Sequence, residues 1–481
     1  MTVRRVEAAL VAVVFVSTAL VGYLWVQRFV RRGGHPFFYQ SYFEPAVMLA
    51  CGHGFVLSRP QPPALAAFLA EKRDSFHCEE LPRDLELTTD ALVQRPWRYL
   101  LTTVALAWKV LGLSWTGLAP LFGAFYAATA VAVYVLCRQL AGPVASLAAT
   151  AAFSLSPLQL ANLANLRDYA KAPFVVWLAA LLAAMVVRPL RPRAVVLLAL
   201  GYGLIMGIGY GFRTDLLIAF PPLVVAIVLF LPGGITRQLL TKVVALGALA
   251  TGFLVAAAPI LSSVASRGGC QWHFSLLGLT DPFNEALGVG GGAYSWGHLY
   301  KDEYLWATIS SYAARLRPDL GYIEYCSREY DIASGGYLRS VLATFPADIL
   351  TRAYAAVFQV LDLPFRHVIG VPYLGTLAAI LFVGGVAMVN RRLALFATFA
   401  IAYFGGHTAI QFLPRHFFPF EFVSLAILAV IVDRAMNPVA AAPGALQRAT
   451  VFVVAVIVVL AIPLLILRSY QNRVVIDLLD R

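Results

Sequence analysis

Along this chain the apolar positions do not alternate with polar ones; they collect into long runs. The runs lie at about 8–26, 115–136, 144–160, 172–187, 194–210, 216–231, 243–264, 368–389, 393–412, 417–432 and 450–467. Most approach the roughly 20 residues that carry a helix across the hydrocarbon core of a bilayer. The pattern predicts an all-α polytopic membrane protein with about eleven transmembrane helices. Two polar segments interrupt it, at about 30–97 and 265–340, and an amphipathic stretch follows or closes each. PWRYLLTTVALAWKVLG at 96–112 is broken by Arg98 and Lys109, and LRSVLATFPADILTRAYAAVFQVL at 338–361 carries Arg339, Asp348 and Arg352. Such stretches fit helices lying in the membrane interface better than crossings. The organisation expected is one integral membrane domain over 1–481, with outer segments that reach 30–114 and 265–365 once the interfacial helices are included.

Composition agrees. The chain is 60% hydrophobic and 13% charged, with a mean hydropathy of +0.76, which excludes an ordinary soluble domain. The net charge of +12 belongs first to cytoplasmic loops, and no basic stripe points to nucleic acid. Arg4 and Arg5 precede the first run, and Arg28, Arg31 and Arg32 follow it without a small-residue cleavage site, so an uncleaved anchor with a cytoplasmic N-terminus is expected. Alternate crossings then place Arg138, Arg188, Arg191, Arg193, Arg237, Lys242, Arg391, Arg392, Arg434 and Arg448 in short inner loops. The positive-inside rule holds throughout, and the odd count leaves the C-terminal tail outside, in a bacterial-type inner membrane.

Four of the five cysteines share the two outer segments: Cys51 and Cys78 in the first, Cys270 and Cys326 in the second, with Cys137 alone at an inner helix end. Two pairs in an oxidising compartment predict disulfides Cys51–Cys78 and Cys270–Cys326; four unpaired thiols are the alternative.

Charges that could do chemistry gather at the predicted outer ends of the helices. Glu44 stands among aromatics in FFYQSYFEPAVMLACGHGF, where with Pro45 it also fits the opening of a helix. Arg167, Asp168 and Lys171 lie in NLRDYAKAPF, Arg213 and Asp215 in GYGFRTDLL, and Arg415 with His416 in FLPRHFFPF. Each charge at membrane depth costs roughly 2.5–3.5 kcal/mol on insertion scales, so a cluster on one side suggests a common use. Guanidinium groups fixed there suit an anionic phosphate leaving group. The same residues also fit plain ion pairs, Asp168 with Arg167 or Lys171 and Arg213 with Asp215. His416 fits equally an interfacial histidine with ordinary partners. His35, His53 and His77 form no ligand spacing, so no metal site is expected. The glycine run GVGGGAY at 288–294 reads as a loop tip, and G-x-S-x-G and the phosphate loop G-x-x-x-x-G-K are absent.

The order of these stretches resembles the C-type superfold of polytopic membrane glycosyltransferases, which includes protein O-mannosyltransferases and lipid A aminoarabinose transferases. The resemblance rests on Tyr42, Glu44 and Ala46 with Gly52 and Gly54 of CGHGF, WKVLGLS, CRQLAGP, SPLQLANLANLRDYAKAPF, GIGYGFRTDLLIAFPPL and PRHFFPF. It implies transfer of a sugar, usually with inversion and often without a metal, from a polyprenyl-phosphate donor to a lipid, glycan or protein acceptor on the outer face. No cofactor is implied. Carried over by position, Glu44 matches the general base, with Asp168 and Asp90 as substitutes. Arg213 and Arg415 match donor-phosphate binders, Lys171 and Arg167 follow, and Tyr42, Tyr39 and His416 line the substrate pocket. In the family the acid commonly precedes the tyrosine, whereas here Glu44 follows Tyr42. A secondary transporter, a lipid flippase or a surface-polysaccharide polymerase or ligase is the alternative; against a transporter, the two halves show no internal repeat.

Overall fold

A computed structural model describes residues 2–34, 40–89, 93–231, 238–270, 272–280, 300–368, 370–410, 412–438 and 442–480. Tyr39, Asp90, His35 and the glycine run at 288–294 lie outside the described residues. The described chain is almost wholly helical. Among the described residues eight helices are long and apolar enough to cross a membrane, or up to ten if each of two bent pairs is one span. Packing divides the chain into two compact units: Met1–Gln139 with Ser146–Ile227 and Ile235–Gly269, and Leu140–Ala145 with Val228–Gly234 and Cys270–Arg481.

The first unit opens with α1 (Thr2–Arg31) and the short α2 (Glu44–Ala50) and α3 (Pro63–Leu69). A two-residue ladder, β1 (Leu57–Ser58) against β2 (Leu87–Thr88), is antiparallel. This first polar segment folds on an aromatic nucleus: Phe68 stacks on Trp115 at 5.0 Å, and Phe76, Trp108 and Phe43 meet the same pair edge-on or tilted. The predicted Cys51–Cys78 disulfide is present, with the Cα atoms 5.4 Å apart. Arg73 forks onto Glu80 beside it, at 2.6 and 2.8 Å. Asp74 fastens the end of the segment by accepting from the Ser114 hydroxyl and from both the amide and hydroxyl of Thr116.

The amphipathic stretch becomes α4 (Arg98–Leu111), which buries Leu100, Leu101, Val104, Ala105 and Trp108 and exposes Leu106 and Val110. Fourteen residues make about 21 Å, short of the roughly 30 Å hydrocarbon core. There follow α5 (Ala119–Leu140), α6 (Pro143–Ser154), α7 (Pro157–Leu163), α8 (Leu166–Tyr169), α9 (Ala172–Val187), α10 (Pro192–Tyr210), α11 (Phe220–Val225) and α12 (Leu239–Arg267). The apolar run at 144–160 is not straight: α6 and α7 meet at 49° because Pro157 pushes Ser156 to an extended backbone, where the Ser156 hydroxyl caps α7. The run at 216–231 is a shorter apolar helix, Thr214–Phe230, of mixed helical type. The close partners α10 and α12 approach through small residues: a Cβ at Gly203 would meet the Leu249 carbonyl, and one at Gly252 the Leu200 carbonyl.

The second unit contains α13 (His273–Leu279), α14 (Asp302–Leu316), α15 (Arg328–Thr344), α16 (Pro346–Val368), α17 (Leu374–Val389), α18 (Arg391–Gly406), α19 (Pro414–Phe417), α20 (Phe422–Met436) and α21 (Ala445–Leu479). The predicted Cys270–Cys326 disulfide is present here. Near it the fully buried His273 ring joins the Tyr330 hydroxyl at 2.6 Å and Asp302 at 2.8 Å, stitching α13 to α15 and α14. The second amphipathic stretch is two helices rather than one, since α15 and α16 turn through 90° at Phe345–Pro346. Gln471 accepts the Ala347 and Asp348 amides that Pro346 leaves at the start of α16. Arg352 is 1% exposed; it donates to the Ala409 and Gly278 carbonyls and lies over the Phe412 ring.

Candidate functional site

Two turns in the first unit bring together Arg167, Asp168, Lys171, Arg213 and Asp215. The first joins α7 to α9: the helix breaks at Ala164–Asn165, re-forms for one turn as α8, and passes Lys171 before Pro173 starts α9. Arg167, Asp168 and Lys171 are all buried there, at 6%, 2% and 4% exposure. The second follows α10, where Gly209 and Gly211 end the helix and Arg213 takes an extended backbone before the turn carrying Asp215.

The ion pairs cross between the turns. Arg213 Nη1 reaches Asp168 Oδ1 at 2.7 Å, and Lys171 Nζ reaches Asp215 Oδ2 at 2.8 Å. Arg213 Nη2 lies 3.7 Å from Asp215 Oδ2. Asp168 Oδ2 accepts from the Asn165 side chain at 2.8 Å, so both of its oxygens are oriented. The Asp168 side chain is 3% exposed and Asp215 31%, which makes Asp215 the carboxylate nearer to solvent or lipid. Arg167 turns its guanidinium onto the Trp97 ring at 3.8 Å, and Trp97 in turn meets Tyr42 edge-on at 5.5 Å. Among the described residues three cations thus share the cluster with two carboxylates.

Backbone contacts hold Trp97 in place. The Gly211 carbonyl accepts the Tyr99 amide at 3.0 Å and the Leu100 amide at 3.4 Å, joining the start of α4 to the end of α10. A Cβ at Gly211 would collide with the Tyr99 ring, so this approach needs glycine. The Tyr99 hydroxyl also donates to the Ala256 carbonyl of α12.

Glu44 occupies a different environment. It opens α2 with Pro45 behind it, as its sequence suggested, but its carboxylate turns to the β1 ladder. Oε1 accepts from the Ser58 amide and hydroxyl at 2.7 and 2.6 Å, and Oε2 accepts from Gln61 Nε2 at 2.6 Å. Glu44 is 5% exposed. It is a buried, oriented acid that ties α2 to β1, two residues from the Tyr42 ring that touches Trp97.

Arg415 and His416 lie in the second unit, on α19. Arg415 Nε donates to His416 Nε2 at 3.0 Å and Nη2 donates to the Tyr300 hydroxyl at 2.9 Å. Among the described residues no group of three or more His, Cys, Asp or Glu side chains is placed to hold a metal ion.

Sequence reasoning missed Trp97, Asn165, Ser58 and Gln61 as partners of the charged residues. Asn165 carried a local signal, three residues before Asp168 as in a cap; the others meet their partners only through tertiary packing. No protein-family model matches this chain, and no curated protein matches it.

Proposed function

We propose that this chain is a multi-pass membrane glycosyltransferase that moves a sugar, with inversion, from a polyprenyl-phosphate donor to an acceptor hydroxyl on the outer face of the membrane. The observation that carries the reading is the largely buried cluster in which Arg167, Lys171 and Arg213 meet Asp168 and Asp215 at the ends of apolar helices. Charges at such a depth are costly, and fixed cations there suit a phosphate whose charge grows as the sugar departs. In the proposed reaction Arg213 and Lys171 hold that phosphate, and Arg167 supports them from the Trp97 face. A carboxylate takes the acceptor proton as the oxygen attacks the anomeric carbon. Glu44 and Asp168 are the two acids assigned to that step, and Tyr42 borders the sugar.

The topology that goes with this reading has a cytoplasmic N-terminus, eleven crossings and an external C-terminus. The test is direct. Purified protein in nanodiscs is incubated with labelled polyprenyl-phosphate sugars, and release of polyprenyl phosphate with formation of a labelled product is expected. Absence of turnover with every donor, together with substrate counterflow in vesicles, would replace the transferase with a transporter.

A further inference from the structure

The first unit holds a second polar cleft, of about 430 Å³, that takes no part in the network above. Thr89 borders it from the first polar segment, Arg95 and Arg98 from the start of α4, and Ser262, Ser263 and Ser266 from the last turns of α12. Among the described residues its wall has two guanidinium groups and four hydroxyls and no carboxylate. Arg95 is fixed, donating from Nη2 to the Thr89 carbonyl at 2.9 Å. Arg98 is exposed, and its guanidinium lies 5.5 Å from the centre of the Phe55 ring, which also lines the cleft. That contact uses none of its N–H donors, and among the described residues Arg98 forms no ion pair. The Ser262 and Ser266 hydroxyls make only local bonds to carbonyls one turn back, which a rotation releases. Forked guanidinium donors beside several hydroxyls form the donor set that phosphate oxygens accept from.

The approach to this cleft is apolar. Residues Leu239–Ser266 are hydrophobic enough to cross a membrane, and Val255 on the same helix is 67% exposed. Val255, Ser262 and Ser266 stand at i, i+7 and i+11, so they share one face of α12. An exposed apolar side chain on a span faces lipid chains, and about 10 Å further along that face the serines begin. We infer that the cleft binds the phosphate of a net-anionic membrane lipid, its chains lying along α12 beside Val255 and its headgroup between Arg98 and the serines. The site does not depend on the chain being a transferase.

Native mass spectrometry of the detergent-solubilised chain tests this by titration with phosphatidylglycerol, a polyprenyl phosphate, phosphatidylcholine and inorganic phosphate. The expected result is at least tenfold tighter binding of the first anionic lipid than of phosphatidylcholine, with millimolar inorganic phosphate failing to displace it. Which of the two anionic lipids binds more tightly identifies the source of the phosphate. Arg98→Gln should weaken anionic-lipid binding about tenfold, and Ser263→Ala with Ser266→Ala severalfold, while the thermal midpoint stays within a degree or two. Arg188→Gln, on the helix end after α9, should change nothing. Equal binding of anionic and zwitterionic lipid, or an Arg98→Gln variant that binds like the parent, overturns the inference. Displacement by free phosphate overturns its lipid half.

Discussion

The Glu44 carboxylate accepts from three donors, so its tie to β1 and the base role proposed for it are separable. As a tie it holds β1 to α2; as a base it must give up part of that hydrogen bonding to take a proton. Ser58→Ala removes the hydroxyl donor and leaves the acid. Glu44→Gln keeps the shape, removes the charge and sets an amide against Gln61. Each lost hydrogen bond to the charged group is worth roughly 1.5–3 kcal/mol, so both variants should lower the thermal midpoint. If Glu44 is the base, Glu44→Gln additionally loses on the order of 10²–10⁴ in transfer rate, whereas Ser58→Ala keeps near-parent turnover. Parallel loss of activity and stability in both variants would reduce Glu44 to a tie. The Asp168–Arg213 pair is tested by a cycle. Arg213→Gln alone leaves Asp168 buried at 3% exposure and should cost about 3–5 kcal/mol in unfolding experiments in detergent. Asp168→Asn combined with Arg213→Gln should recover at least ~1 kcal/mol of the summed losses, and strict additivity would show that the two groups do not depend on each other. In the first polar segment, the Arg73 guanidinium and the His77 amide hold the Glu80 carboxyl below its usual 4.5. Because the folded value is depressed, the stabilisation is complete above pH 4.5 and is lost as pH falls through the lower folded value. The drop in thermal midpoint between pH 6 and pH 3 should therefore be smaller in Glu80→Gln than in the parent, and an equal drop would remove Glu80 from the acid sensitivity.

Elements expose what periodicity could and could not carry. Among the described residues every apolar run named from sequence is largely helical, because a segment without polar backbone partners satisfies its own N–H and C=O groups only as a helix. Breaks at Ser156–Pro157 and Phe345–Pro346 also had a local cause, since a residue before proline leaves the helical region. The angles, 49° and 90°, had none in sequence, because they follow from what each half packs against. The site was legible in the same partial way. Glu44, Arg167, Asp168, Lys171 and Arg213 stood out as charges in apolar surroundings. How they pair did not, because the pairs Arg213–Asp168 and Lys171–Asp215 span 45 and 44 residues and cross two turns. The approach of α10 to α12 supports a prediction of its own. Gly203 faces the Leu249 carbonyl, whereas Gly201, on the same helix, has open space at its Cβ position. Gly201→Ala should raise stability by about 0.5–1 kcal/mol through the reduced freedom of the unfolded helix. Gly203→Ala should lower the thermal midpoint by pushing the helices apart, and a neutral Gly203→Ala would mean that the close approach is unimportant.

At the scale of the whole molecule the open quantity is the number of crossings, and it turns on two short or bent elements. Among the described residues eight helices are long and apolar enough to cross; the bent α6–α7 pair, the Thr214–Phe230 helix and the 16-residue α17 would complete the eleven of the proposed topology. That count treats α4 and the α15–α16 pair as non-crossing. For α4 the physical ground is its length, about 21 Å, and Arg98 at its head. For the pair it is the right-angle turn, which prevents a single straight crossing. Four single cysteines placed on exposed positions in a Cys137→Ser background separate the possibilities: Arg83→Cys, Arg191→Cys, Tyr322→Cys and Asp477→Cys. With eleven crossings, a membrane-impermeant maleimide should label the cysteines at 83, 322 and 477 in intact cells and the one at 191 only after permeabilisation. If α4 crosses, 191 becomes accessible from outside while 322 is lost, and 83 is unchanged. If the α15–α16 pair crosses, only 477 changes sides. The two disulfides bear on the same result, since Cys78 and Cys326 stand close to positions 83 and 322 and the bridges persist where the compartment is oxidising. Non-reducing mass spectrometry should therefore find both bridges with Cys137 as the lone free thiol, and a reduced Cys270–Cys326 pair together with a protected 322 would move the second polar segment to the cytoplasmic side and overturn the topology on which the proposed transfer at the outer face depends.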